Sequence, residues 1–325
     1  MIVGIEKVSI PLRQPLVITG YSFSHLETVR VTLERNGVSG RGEGTGSYYL
    51  GENQDSIVGE IMRVKPLLGE GAGREDLQAM LPVGGARNAL DCALWDLECK
   101  EMKSSIWQRL NLEPKKLTTV ATIGVGDASE MARHAASWSN YHFLKVKLSA
   151  DAPVEKIQAV REARPDASIV VDANQAWSFD DLLNFLPRFE ELEIDMIEQP
   201  LRRGHDDELA GLTSPVPIGA DESCLGLEEF WEVQEKYDVI NIKLDKCGGL
   251  TEALLIVDAA RKLGKTLMVG NMTGTSLSMA PSFVVGQSCE FVDLDGPLLL
   301  QHDIENGLQF SEVGEISRPK PELWG

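Results

Sequence analysis

Two lysines, Lys145 and Lys147, stand two residues apart in FLKVKLS, residues 143–149. Side chains at i and i+2 of a strand share a face, so the two amines lie side by side and call for an anion. Three successive apolar runs carry carboxylates at their ends: Asp172 in VVDANQAW, Glu198 in MIEQP and Asp221 in IGADES. Three carboxylates held close together cannot all stay ionised unless a cation joins them. An all-oxygen set with room left for water or substrate suits Mg2+. One strand-end Asp is more often a turn cap, and a lysine pair can mark a solvated edge strand. Three carboxylates at matching places beside the lysines point instead to a metal site. A further lysine, Lys243, ends the run DVINIK. Two amines on opposite sides of a metal-held substrate can carry a proton from one face of a carbon to the other. Asp293 and Asp295 in FVDLDGP form a second i, i+2 pair, this time negative. Such a pair either caps a turn or binds an ammonium group.

The elements that must position these groups repeat. Short apolar runs recur from about residue 117, with amphipathic segments such as FDDLLNFLPRFEEL and LTEALLIVDAARKLG between most of them. Lys147, Asp172, Glu198, Asp221, Lys243, Asn271 and Asp293 occupy equivalent positions, with gaps of 25, 26, 23, 22, 28 and 22 residues. Apolar strands alternating with helices mean a parallel sheet covered by helices. Eight of them fit an α/β barrel of the TIM type, with its chemistry at the C-terminal strand ends. Thr122, in TIG at the end of the first such strand, and Asn271 and Met272 at the end of the seventh are candidates to touch a substrate.

Residues 1–113 read as an α+β domain. IVGIEKVSI and ETVRVTLERNG alternate like strands, and Asn36-Gly37 marks a hairpin turn. GARNALDCALWDLECKEM (85–102) has small or apolar residues at 89, 90, 93, 94 and 97, a helix with one buried face. GRGEGTG (40–46) lacks the G-K-[ST] of a phosphate loop and reads as turn chemistry. The barrel is assigned to 114–299, and 300–325 to a short β return that packs on the first domain.

The 31 basic and 50 acidic residues leave a net charge of −19, which disfavours nucleic acid and anionic membranes as partners. Five cysteines without a C-x-x-C suggest neither a disulfide framework nor a zinc site. MIVGIEKVSI enters directly into alternating apolar residues and does not read as a signal peptide. A cytoplasmic protein is expected, and assembly as a homo-oligomer is compatible with the sequence.

The K-x-K of Lys145 and Lys147, the Asp172–Glu198–Asp221 set and Lys243 in NIKLDKCGG, in this order along the whole chain, resemble the enolase superfamily and its muconate-lactonising subgroup. The resemblance implies an α+β capping domain on a modified (β/α)7β barrel. It also implies an Mg2+-dependent isomerase that abstracts a proton α to a carboxylate and passes through an enediolate. Lys147 and Lys243 are then the proton carriers, and Lys145 is a charge on the substrate carboxylate that helps lower the Lys147 pKa. Asp245 and Glu222 are outer groups that hold Lys243 and the metal region. D-x-D at the end of the eighth strand resembles the dipeptide epimerases, including the L-Ala-D/L-Glu type, where it holds the free α-amino group of a dipeptide substrate. Relatives acting on Ala-Glu carry an arginine after the first strand. Residues 15–29 here contain none, offering His25 as the one cation beside Tyr21 and Phe23, so hydrophobic dipeptides are open as substrates. Tyr48 and Tyr49 are read as either pocket walls or plain packing. The alternatives within the subgroup are N-acylamino-acid racemase and o-succinylbenzoate synthase. The non-enzymatic alternative is a barrel that binds without turnover.

Overall fold

The computed structural model describes residues 1–18 and 20–325. The N-terminal alternation forms an antiparallel sheet of β1 (Ile2–Ile18), β2 (Tyr21–Arg35) and β3 (Val38–Gly44). Asn36 and Gly37 turn β2 into β3 at φ 53° and 77°, the left-handed pair that a tight hairpin of this type requires. β1 and β2 pair from Ile2↔Glu34 to Ile18↔Tyr21, with an irregularity between Pro11 and Leu16. β3 pairs only with Val29–Arg35, so the far half of the ribbon extends beyond it. That half, with Phe23 and His25, reaches the barrel mouth, where Val17 O accepts from Val125 N at 3.1 Å.

Four helices follow: α1 (Gln54–Gly69), α2 (Arg74–Met80), α3 (Gly85–Glu101) and α4 (Ile106–Leu110). Two expectations are corrected here. GRGEG is strand β3 rather than a turn. Gly40, Gly42 and Gly44 alternate onto the face that meets α3, and a Cβ on Gly42 would lie 2.1 Å from Ala89 O. The glycines let strand and helix backbones touch. Helix α3, in turn, has no exposed face over residues 85–97. It is wedged between the sheet and the barrel, to which it is tied by Asp91, accepting from Thr251 N at 2.9 Å, and by the Arg87–Glu252 ion pair.

After a two-residue strand β4 (Leu117–Thr118), the barrel runs β5 (Ala121–Ile123), α5 (Ala128–Ser137), β6 (Phe143–Lys147), α6 (Pro153–Ala163), β7 (Ser168–Asp172), α7 (Phe179–Glu191) and β8 (Met196–Glu198). A single 3-10 turn at Asp207–Leu209 replaces a helix before β9 (Ile218–Ala220). Then come α8 (Leu227–Val233), β10 (Val239–Ile242), α9 (Leu244–Cys247), α10 (Leu250–Lys262), β11 (Thr266–Val269), α11 (Ser276–Gly286), β12 (Phe291–Val292) and α12 (Gly296–Leu299). The eight strands β5 to β12 are parallel and in sequence order. The two end strands meet through Val120 N to Val292 O at 3.0 Å, which curls the sheet into a barrel. Helix α7 shows the local logic. Ser178 and Asp181 form its capping box, and Leu182, Leu186 and Phe189 are its buried stripe.

Strand alternation layers the interior. Val170, Met196, Val239 and Met268 form an apolar plug. Two residues further along their strands come Asp172, Glu198, Asn241 and Gly270, at the C-terminal end. Outward residues such as Val146, Val171 and Ile197 pack under the helices. Beyond α12, β13 (Glu315–Ile316) pairs antiparallel with β4. The C-terminal residues reach α3, where Trp324 Nε1 donates to Cys92 O at 2.9 Å. All five cysteines are free thiols. Among the described residues, no helix is long and apolar enough to cross a membrane.

Candidate active site

The register of the parallel strands puts Lys147 opposite Asp172 and Asp172 opposite Glu198. One amine and two carboxylates thus stand in a row at the C-terminal rim. The β8–β9 ladder ends at Glu198↔Gly219, and Asp221 sits two residues beyond, in a bend. Even so, ligand oxygens of Asp172, Glu198 and Asp221 all lie within 4.8 Å of one another, and all three residues are buried.

The lysines answer these charges. Lys147 Nζ is 2.6 Å from Asp172 Oδ2, and Lys243 Nζ is 2.6 Å from Asp221 Oδ2. β6 and β10 are four strands apart in a sheet of eight, so the two amines face each other across the barrel. Lys145 is 1% exposed and ion-pairs with Glu198 at 2.7 Å, Asp293 at 2.9 Å and Asp172 at 3.2 Å. Burial opposes its charge, but Asp293, Glu198 and Asp172 together outweigh burial and hold its pKa well above the usual lysine range. Lys243 is likewise buried, and Asp221 above all keeps its pKa raised. Burial and then Asp172 push Glu198 up, whereas Lys243 and Lys246 overcome burial to hold Asp221 low.

A metal fits this set. Glu198 Oε2, Asp221 Oδ1, Glu222 Oε2 and Asn174 Oδ1 are buried acceptors without a directed hydrogen bond. They are hard oxygen atoms, and the set they form with the three carboxylates includes neither sulfur nor imidazole, the donor chemistry of Mg2+ or a similar cation.

A cavity of about 200 Å³ opens above the lysines. Lys147, Lys243 and Asn174 line it, together with Asn271 and Met272 from the seventh strand end. The capping domain adds Leu16, Ile18, Phe23, His25 and Tyr48. Tyr48 meets Phe23 at 5.0 Å and Tyr21 at 4.7 Å, ring to ring and edge-on. Tyr21 and Tyr49 lie on the far side of this aromatic wall, beside a neighbouring crevice that also reaches Glu222.

Several expected roles change. Asp245 does not hold Lys243. Its Oδ1 accepts from Thr45 N at 2.8 Å, Gly46 N at 3.0 Å and Asn88 Nδ2 at 3.1 Å, so it ties the capping loop to the barrel. Glu222 remains beside the carboxylate set, accepting weakly from Asn174 Nδ2 at 3.4 Å. Asp293 and Asp295 are not a same-face strand pair, because β12 stops at Val292 and Asp295 already has helical backbone as the cap of α12. Asp293 meets Lys145 and Asn271 Nδ2, while Asp295 Oδ2 accepts from Thr122 N at 2.9 Å. Thr122 lines an adjoining crevice rather than the main cavity. Lys145 is sealed beneath the carboxylates and does not line the cavity.

Sequence reasoning missed Lys246 and Asn241. Lys246 Nζ is 2.8 Å from Asp221 Oδ1 and donates to Asn241 O at 2.9 Å, and Asn241 Nδ2 donates to Glu198 Oε1 at 2.7 Å. Asn241 sits two residues before Lys243 on a strand, so the i, i+2 rule that singled out Lys145 could have found it.

Residues 128–319 match the family described as enolase C-terminal domain-like. Residues 2–110 match the mandelate racemase / muconate lactonizing enzyme N-terminal domain. The chain belongs to the enolase superfamily. It is 40% identical over 309 residues to the L-Ala-D/L-Glu epimerase of Escherichia coli K12, covering 94% of this chain and 96% of that one. An Agrobacterium tumefaciens enolase-family protein with homology to dipeptide epimerases, solved with sodium and L-Ala-L-Glu, superposes with TM-score 0.96 at 38% identity, covering 99% of each chain. A dipeptide epimerase from Enterococcus faecalis, solved with Mg and L-Leu-L-Tyr, gives TM-score 0.89 at 25% identity, covering 97% of this chain and 96% of that one.

Proposed function

We propose that this enolase-superfamily protein is an Mg2+-dependent dipeptide epimerase that inverts the Cα of the C-terminal residue. The observation that carries the reading is the pair Lys147 and Lys243. They face each other across one cavity, each against a carboxylate of the Asp172–Glu198–Asp221 set. Asp172, Glu198 and Asp221 would hold the metal, and Mg2+ bound there would neutralise charge on the substrate carboxylate and so acidify the neighbouring Cα–H. One lysine takes that proton from one face and the opposite lysine returns a proton to the other, so both epimers are substrates. Lys145 keeps the carboxylate cluster compact from below. Asp293 and Asp295 receive the substrate's α-ammonium.

The upper cavity is walled by Leu16, Ile18, Phe23 and Met272 and has no arginine. A hydrophobic side chain on the epimerised residue suits it better than glutamate, because above the lysines only the His25 imidazole could pair with a carboxylate, and a carboxylate buried without a full cation partner is costly. A second reading rests on a specific contact pattern. Asp293 is already engaged by Lys145 and Asn271, and Asp295 by Thr122. If these bonds persist with substrate, an N-acylamino acid, which lacks the amine, becomes the better substrate and the protein a racemase.

The deciding experiment incubates the protein with Mg2+ in D2O against L,L-dipeptides and N-acylamino acids, reading Cα deuteration by mass spectrometry. The epimerase reading expects label and inversion in dipeptides. It also expects inversion to be lost in both Lys147→Ala and Lys243→Ala, each variant keeping exchange from one epimer only. Label confined to N-acylamino acids selects the second reading, and label in neither class rejects both.

A further inference from the structure

Gln199 follows the carboxylate Glu198, is fully buried, and has a left-handed backbone at φ 37°. That conformation is unfavourable for a residue with a side chain. It turns the amide sideways from β8 toward the segment after β9. There every polar atom is used. Oε1 accepts from Asp221 N at 2.9 Å and Ser223 N at 3.0 Å. Nε2, with two hydrogens, faces three acceptors, Leu201 O at 2.8 Å, Ser223 Oγ at 2.8 Å and Tyr237 OH at 3.1 Å. These partners fix the amide's orientation, since two N–H donors face the oxygen and a carbonyl faces the nitrogen. Ser223 Oγ and Tyr237 OH in turn both donate to Asp206 Oδ2, at 2.6 and 2.8 Å.

The β8–β9 ladder has ended before Asp221. Asp221 nevertheless has to hold a metal and stands 2.6 Å from Lys243. We propose that Gln199 is a positioning residue that sets the Asp221 backbone, and through it both the metal site and Lys243. This rests on the epimerase reading above. The counterpart on the other side needs no such staple: Lys147 and Asp172 are paired within the β6–β7 ladder itself. Loosening Gln199 therefore disturbs the two proton carriers unequally.

The test is Gln199→Met, with two readouts. The first is Mn2+ binding followed by electron paramagnetic resonance without substrate, where Kd is expected to rise about 10–100-fold, the usual effect of losing a group that orients a metal ligand. The second is Cα exchange from each epimer in D2O, the lysine serving each being assigned from Lys147→Ala and Lys243→Ala. Exchange through Lys243 is expected to slow roughly tenfold more than exchange through Lys147. A residue needed only for folding would slow both alike. Unchanged Mn2+ affinity, or equal slowing of both epimers, overturns the proposal. Should Gln199→Met not fold, Ser223→Ala removes one acceptor of the amide and one donor to Asp206. It is expected to raise the Mn2+ Kd about threefold with the same asymmetry, and no change in either readout overturns the proposal. If the wild type exchanges no dipeptide, the epimerase reading fails and the Mn2+ result alone decides the role of Gln199.

Discussion

Replacing Lys145 by methionine tests whether this buried amine is the countercharge of the cluster. The side chains are similar in volume, so packing alone accounts for under about 1.5 kcal/mol. The charge is another matter. Lys145 contacts three buried carboxylates, at 2.7, 2.9 and 3.2 Å, and removing one partner from a buried ion network costs about 3–5 kcal/mol. The loss must also depend on pH. Burial and Asp172 already raise Glu198, and Lys145 is the first influence that lowers it. Without the amine, Glu198 keeps a proton in the folded state at pH values where the unfolded chain has lost it. The folded state then binds more protons than the unfolded state, so stability falls as pH rises, by about 1.4 kcal/mol per pH unit per retained proton. In the wild type the Glu198 pKa is already raised to about 7, so most of this slope is common to both proteins, and from pH 5.5 to 7.5 the proton retained by the variant adds only about 1 kcal/mol to the difference. The loss relative to wild type should therefore be about 3 kcal/mol at pH 5.5 and about 4 kcal/mol at pH 7.5. Urea unfolding of both proteins in EDTA at the two pH values measures it. A loss below about 1.5 kcal/mol that is the same at both pH values would mean Lys145 only fills space.

Three further outcomes are expected. Burial raises the Asp91 pKa to about 6. Wild type should therefore lose about 3 kcal/mol to this group as pH rises from near 4 through 6, the folded state being the better proton binder. Asp91→Asn removes that part of the slope, and urea midpoints at pH 4.5 and 7 for the two proteins will show whether it does. Gly42→Ala drives a methyl to within 2.1 Å of Ala89 O and should cost about 2–3 kcal/mol in thermal or urea unfolding; a neutral result would mean β3 and α3 can separate. Asp295→Asn should lower kcat/KM for dipeptides roughly 30-fold, the effect of losing one buried charge partner. N-acylamino acids should be much less affected, and an equal loss for both classes would remove Asp295 from ammonium binding.

What the sequence made legible was what the period of two controls. Lys147, Asp172, Glu198 and Lys243 stand at or one residue past the ends of their strands, and their common level follows from strands that end at matching places. For Asp172 and Glu198 the apolar residue two positions earlier, Val170 or Met196, fixes the level as firmly as their own chemistry does. Val170, Met196, Val239 and Met268 fill the base of the barrel, so the next inward residues can only stand above them. A one-residue slip would bury charge under the helices and expose the plug. That argument fails as soon as the strand does. Asp295 was read with strand logic, but β12 ends at Val292, and the two carboxylates part toward Lys145 and Thr122. Asp245 was read by its nearness to Lys243 in sequence, yet its partners Thr45 and Gly46 lie about 200 residues away. Only the docking of the capping loop onto the barrel brings them together. GRGEG was read as a turn because glycine favours turns, while here the alternation of its glycines served a helix forty residues further on. Gln199 carries no chemical signature at all. Its importance comes from a single backbone angle that aims an ordinary amide at the neighbouring strand end. The groups proposed for catalysis can thus be read from residue type and strand period, whereas the groups that hold them still depend on contacts between segments far apart in the chain.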